Sequence, residues 1–168
     1  MKAQSQMPKY VKIALSLGGN LGDPEAAFAA AERALAAAGV RHLRRSASIV
    51  TEPVECPPGT PDFHNAAVTG EWSGTAAALL ALCRRLERAA GRPADHGFHT
   101  PRPLDIDIIG FGDEVMDTPE LTIPHPRAQE RRFVLAPLAE IAPDFRFADS
   151  GRTAAEALLR LDGCNRNE

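Results

Sequence analysis

The sequence predicts an α+β fold, a ferredoxin-like antiparallel sandwich with a βαββαβ core and a C-terminal helical extension. Two observations carry this. The chain has 168 residues, 44% hydrophobic and 24% charged, which is enough for one core and too apolar for intrinsic disorder. Its periodicities fall in the order strand, helix, strand, strand, helix, strand. Two strands therefore follow one another without a helix between them, which a doubly wound parallel sheet does not allow. Residues 1–168 are read as a single domain, with 1–10 expected as a disordered tail.

Residues 11–18 alternate apolar and small side chains and stop at Gly18-Gly19, as a strand entering a tight turn does. Asp23 before Pro24 is an N-cap with proline at the first helical position, and the alanine-rich run after it predicts a helix over 24–38 closed by Gly39. Residues 41–50 predict one partly exposed strand and 63–72 another. Between them Pro53, Pro57, Pro58, Gly59 and Pro61 forbid a tight hairpin. The connection is an irregular loop of about a dozen residues, a length uncommon unless functional or disordered. A second helix is predicted over 74–91, with Leu79, Leu82 and Leu86 as its buried stripe, Arg84, Arg85 and Arg88 on its wet side, and Gly91 as its stop. An aperiodic segment then runs into a strand at 104–112. An extended stretch punctuated by Pro119, Pro124 and Pro126 follows, then a short apolar helix near 133–141 and a last helix near 153–161.

Charge narrows the function classes. Lys+Arg 19 against Asp+Glu 22 leaves a net charge of -3, so there is no global basic field of the kind that drives nucleic-acid binding. No apolar run approaches the ~18 residues of a membrane span, and the first residues lack the hydrophobic segment of a signal peptide. A cytoplasmic location without membrane partners is the expectation. Cys56, Cys83 and Cys164 are three in number and widely spaced, which reads as free thiols.

The chemistry concentrates around 84–107. Asp105 and Asp107 stand two apart in a strand, so both carboxylates emerge on one face while Ile106 and Ile108 take the other. Two like charges forced together raise a pKa, repel, or are reconciled by a divalent cation such as magnesium, which favours oxygen ligands and shares them with substrate phosphates. From spacing alone, a solvated strand face without ligand is an equal alternative. Arg92 and Arg102 flank the pair within a stretch that is locally basic, and metal-bridged phosphates met by arginines are the recurring equipment of phosphoryl transfer. The Gly-x-x-x-x-Gly-Lys-Ser/Thr phosphate loop is absent, and glycines 18, 19 and 22 do not fit the dinucleotide fingerprint. That glycine turn reads as a simple connection. His96 and His99 complete no zinc ligand set. His125, held between two prolines near Arg127, Arg131 and Arg132, suits a phosphate contact, although a lone loop histidine is more often inert. Phe63 and Phe133 adjoin polar sequence, and Asn65 shares the face of Phe63. Core packing is the plain reading of both rings; the alternative is a flat heteroaromatic ring between two phenyl faces, read at its edge by the amide.

The segments SLGGNLGD, TEPV, PDFHNAAV, PRPLDIDIIGFG and LTIPHPRAQERRFVLAPLAEIAPD, in this order, resemble the motifs of 6-hydroxymethyl-7,8-dihydropterin pyrophosphokinases of folate biosynthesis. The resemblance spans nearly all of residues 11–147. It implies a three-layer α-β-α form of the ferredoxin-like fold and an ATP-dependent transfer of pyrophosphate to the pterin's hydroxymethyl oxygen, with AMP leaving. On that resemblance Asp105 and Asp107 are ligands of two magnesium ions bridging ATP, and Arg92 and Arg102 contact transition-state or product phosphates. Glu87, Ile108, His125 and Arg131 fall at ATP-site positions. Phe63 and Phe133 would sandwich the pterin, while Asn65 and the backbone near Thr51 and Val54 read its edge. The implied partners are the small molecules ATP and 6-hydroxymethyl-7,8-dihydropterin, met by a monomer that binds no nucleic acid. The sequence departs from the family's pattern at Ala94, where a second loop arginine is usual, at His99 and Thr100, where tryptophan and glycine are usual, and at Pro126, where tyrosine is common. A catalytically impaired small-molecule-binding domain of the same fold is the alternative, and a single-stranded RNA-binding module a third reading that the carboxylates in the strand disfavour.

Overall fold

A computed structural model describes residues 7–92 and 100–165. The strands are β1 (Val11–Gly19), β2 (Arg41–Arg45), β3 (Ile49–Thr51), β4 (Phe63–Trp72), β5 (Asp105–Phe111), β6 (Met116–Asp117) and β7 (Thr122–Ile123); the helices are α1 (Pro24–Ala37), α2 (Ala76–Ala89), α3 (Arg132–Ile141) and α4 (Ala154–Cys164). The main sheet has the order β2-β4-β1-β5 with β3 also on β4, and every pair is antiparallel. This is the predicted ferredoxin-like α+β arrangement.

Alternation along β1 explains the layers. Ile13, Leu15 and Leu17 join one core with Phe28 and Leu35 of α1 and Leu79, Leu82 and Cys83 of α2. Ala14 joins a second core with Ala67, Ile109 and the α3 and α4 residues Val134, Leu135, Leu138, Ala154 and Ala157. With apolar side chains leaving both faces, the sheet is covered on both, which gives three layers. Each fully buried leucine or phenylalanine contributes on the order of 1.5–3 kcal/mol. Alanine and other small side chains on the second face bring α3 down close to the sheet over its middle.

The cap read at Asp23-Pro24 is present, and the structure adds two more. Asp23 accepts a hydrogen bond from the Ala26 N–H and Pro24 opens α1, Thr75 caps α2, and Thr153 with Glu156 forms a capping box on α4. One strand over 41–50 is corrected to two. Ser46 turns inward, buried; its N–H donates to the Ala67 carbonyl and its hydroxyl accepts from the Ala67 N–H. The pairing with β4 moves by one residue between Arg45↔Val68 and Ile49↔Asn65, the signature of a bulge. The extended stretch after β5 contains the β6-β7 ribbon, which the prolines concealed. Tyr10, placed in the expected tail, lies under the Arg41 guanidinium at 4.1 Å. The expectations at Ala94, His96 and His99 fall outside the described residues. Among the described residues, no helix is long and apolar enough to cross a membrane.

Candidate active site

Register puts the candidate residues in rows. Gly18 of β1 is paired with Asn65 of β4 on one side and Asp105 of β5 on the other, and Ser16 is paired with Ala67 and Asp107. Directly paired residues share a face, so Asn65, Asp105 and Asp107 all rise from the α3/α4 side of the sheet; spacing required this of the two aspartates alone, and strand register adds Asn65. Two inter-strand steps separate Asn65 from Asp105, about 10 Å. Glycine at 18 leaves the floor between them without a side chain.

Arginines close on the carboxylates. Arg92 Nη1 donates to Asp105 Oδ1 and lies 2.9 Å from Glu87 Oε1, while Arg102 Nη2 donates to Asp105 Oδ2 at 3.0 Å. Glu87, on α2, also accepts the Ile106 N–H at 2.7 Å. Among the described residues β5 pairs only with β1 in the main sheet, so Glu87 caps a donor on its open edge. Ile108, two residues on, turns its backbone N–H and carbonyl to that same open edge. Burial pushes the Glu87 carboxyl up to about 7, and Asp105 beside it adds to the shift against the Ile106 N–H and Arg92. Burial likewise lifts Asp107 to about 6, with Asp105 adding to it and Arg131, Arg102 and Arg92 opposing. Two carboxylates poorly solvated at one end of a cleft hold a standing demand for positive charge.

That cleft has a volume of about 560 Å3 and runs along the open edge of β5 between α2 and the β6-β7 ribbon, from Arg92, Asp105 and Asp107 past Ile106 and Ile108 to Thr118 and Leu121. Arg84 and Arg88 line it, which corrects the expectation that they only wet the outside of α2; one helical face carries Arg84, Glu87 and Arg88 because residues three and four apart are neighbours. His125 lines it too. Its N–H donates to Ile109 O, and its Nδ1 accepts from the Arg127 N–H at 3.2 Å. The neutral ring therefore carries its proton on Nε2. Burial, then Arg131, lowers the His125 pKa and favours that neutral form. Burial also lowers Arg131, which ends just before α3 and whose charge acts on Asp107.

The two rings lie beyond the carboxylates. Phe63 opens β4 and Phe133 sits in the first turn of α3, each half-buried. Each carries an arginine over its face, Arg102 at 5.8 Å from the Phe63 centroid and Arg131 at 5.6 Å from that of Phe133. Buried Asn65 donates from Nδ2 to Thr51 Oγ1 at 2.9 Å. The structure thus joins Thr51, Asn65 and Phe63 at the β3-β4 end, and Glu87, Arg92, Arg102, Asp105 and Asp107 at the β5 end. Val54 stands 74% exposed in the 52–62 loop that follows β3.

Asp105 and Asp107 offer oxygen ligands on one face, and among the described residues nothing donates a hydrogen bond to Asp107. A hard, oxygen-preferring divalent ion that retains several waters fits such a pair. Among the described residues no group of three or more His, Cys, Asp or Glu side chains forms a cage of its own. One residue escaped the sequence reading. Asn20, in the glycine turn, is 4% exposed and bonded to two loops; a polar residue following two glycines was its only signal.

Comparisons with known proteins find relatives over most of the chain. The family model described as 7,8-dihydro-6-hydroxymethylpterin-pyrophosphokinase matches residues 14–143. The chain is 41% identical over 152 residues to the 2-amino-4-hydroxy-6-hydroxymethyldihydropteridine pyrophosphokinase of Methylorubrum extorquens, covering 88% of this chain and 92% of that one. It is 35% identical over 151 residues to the enzyme of the same name from Pseudomonas aeruginosa, covering 88% and 90%. Among solved structures it resembles wild-type Plasmodium falciparum HPPK-DHPS with pteroate, with a TM-score of 0.70 at 12% identity over 98% of this chain. The chain spans 44% of that longer protein, and the likeness speaks to the fold.

Proposed function

This chain belongs to the 7,8-dihydro-6-hydroxymethylpterin-pyrophosphokinase family, and we propose that the residues of its cleft perform that family's reaction. The activity transfers the pyrophosphoryl group of ATP to the hydroxymethyl oxygen of 6-hydroxymethyl-7,8-dihydropterin in folate biosynthesis, releasing AMP and the pterin diphosphate. One observation carries the assignment of residues: Asp105 and Asp107 share a face with Asn65, Asp105 in the same row across Gly18 and Asp107 in the next row beside Ser16, and two arginines converge on Asp105.

Each group has a task. Phe63 and Phe133 bracket the pterin, and Asn65 with the Thr51 and Val54 backbone reads its polar edge, which fixes the hydroxymethyl toward β5. The Ile108 backbone donor and acceptor on the open strand edge meet the adenine. Glu87 holds the end of β5 and the Arg92 guanidinium in register. His125, through Nε2–H, and Arg131 take phosphate oxygens. Two magnesium ions held by Asp105 and Asp107 would neutralise the triphosphate and make the attacked phosphorus more electrophilic. Arg92 and Arg102, already aimed at that point, stabilise the charge that builds on the phosphoryl oxygens. The hydroxymethyl proton leaves to solvent or a phosphate oxygen. A catalytically impaired binding domain is not favoured, since the carboxylates, both arginines and both rings are retained.

The site is assembled from one chain, which supports a monomer acting on diffusible substrates. Use of ATP supports a cytoplasmic setting. Incubation with ATP, magnesium and 6-hydroxymethyl-7,8-dihydropterin is expected to form AMP and pterin diphosphate in equal amounts. No AMP above the pterin-free control would overturn the reading.

A further inference from the structure

The turn between β1 and α1 holds two distant loops with one side chain. Asn20 Nδ2 donates to Pro61 O at 3.2 Å, and Asn20 Oδ1 accepts the Arg102 N–H at 2.9 Å. The Asn20 backbone N–H adds a third bond, to Arg102 O at 3.0 Å. Asn20 therefore meets Arg102 as one strand residue meets another, with its amide oxygen in place of a carbonyl. Its remaining donor reaches the other loop. A Cβ at Gly19 would lie 2.4 Å from Pro103 O, so the turn is pressed against the 102–103 backbone and only glycine permits that approach.

The bonded atoms sit next to the working groups. Pro61 is two residues before Phe63, and Arg102 is three before Asp105. Arg102 itself spans the gap, with its guanidinium on Asp105 and over the Phe63 ring. We infer that Asn20 is a positioning residue for pyrophosphoryl transfer: its buried amide sets the pterin-bearing end of β4 in register with the phosphate-bearing approach to β5. The inference rests on the reading of the cleft given above. Its physical basis is that a misplacement of about 1 Å between reacting groups costs up to ~10²-fold in rate while each ligand keeps its own contacts.

The amide's two ends are separable. Asn20→Asp keeps the acceptor for Arg102 and removes the donor to Pro61; Asn20→Ser is too short to reach both. The experiment measures kcat for AMP formation together with the affinity and stoichiometry of a non-hydrolysable ATP analogue and of the oxidised pterin. Expected for both variants is a fall in kcat of about 10–100-fold, with one of each ligand bound per chain and each dissociation constant within about threefold of wild type. A kcat within twofold of wild type in both variants would overturn the inference. So would a loss of bound ligand per chain that matches the loss of kcat, since Asn20 would then only support the fold. Failure of the wild-type chain to form AMP would instead strike the functional reading itself.

Discussion

Asn65 and Asp105 face the same side of the sheet in one row, two strands apart, with Gly18 alone between them. The side chains proposed to read the pterin edge and to serve the phosphates therefore stand about 10 Å from one another on a rigid floor. This spacing leaves room for a flat ring and its hydroxymethyl arm, and it is set by backbone pairing and by no flexible element.

Filling that floor separates binding from stability. A Cβ on Gly18 would meet Asn65 Oδ1 at 3.7 Å, an ordinary contact, and alanine suits a strand better than glycine. Gly18→Ala is expected to melt at or slightly above the wild-type temperature while its KM for the pterin rises about tenfold, roughly 1.4 kcal/mol. Thermal melts and steady-state kinetics check both halves, and an unchanged KM would remove Gly18 from the substrate floor.

Asp107 carries a conflict that the proposed metal role would resolve. Burial and the neighbouring Asp105 both oppose its charge. Asp107→Asn is expected to lower kcat by at least about 10³-fold and, in metal-free buffer at pH 7.5, to raise the unfolding midpoint. Denaturant unfolding with EDTA tests the second effect, and a lowered midpoint would contradict the strain assigned to this carboxylate.

The pH dependence of the metal-free protein follows the same groups. Glu87 rises from 4.5 to about 7 and Asp107 from 3.8 to about 6 in the folded chain. A carboxyl whose folded pKa is raised binds more protons folded than unfolded, so its stabilising contribution is present below the unfolded pKa and is lost as pH climbs through the folded one. Stability with EDTA should therefore decline between about pH 4.5 and 7, and magnesium should restore most of it at the upper end. Urea midpoints across that range, with and without magnesium, measure the trend, which a flat profile would refute.

Arg102 bonds Asp105 and covers Phe63 at once. A lysine in its place has one point charge and no planar fork. Arg102→Ala is expected to lower kcat about 10²–10³-fold, and Arg102→Lys is expected to recover little of it. Kinetics of the pair decide, with full rescue by lysine arguing that charge alone suffices.

Most of the secondary structure was legible because its signals are local. Asp23-Pro24, the Gly91 stop and the alternation in 105–111 act within a few residues of themselves, and the prolines of 53–61 were enough to forbid a hairpin. The break between β2 and β3 was not legible, because Ser46 looks like any polar strand residue until Ala67 is known to be its partner. Arg84 and Arg88 were assigned to solvent for a similar reason. The helix face they occupy is polar, and only the β6-β7 ribbon opposite turns that face into a cleft wall.

By itself the sequence determined that two carboxylates share a strand face, that Phe63 and Asn65 do the same, and that arginines attend them, since side-chain direction in a strand depends on spacing alone. The tertiary structure decided that the two faces are one face, that both arginines reach Asp105, and that Asn20 binds residues 41 and 82 positions away. Those relations depend on strand register and loop docking. They are fixed by packing among residues far apart in the chain, which no local pattern encodes.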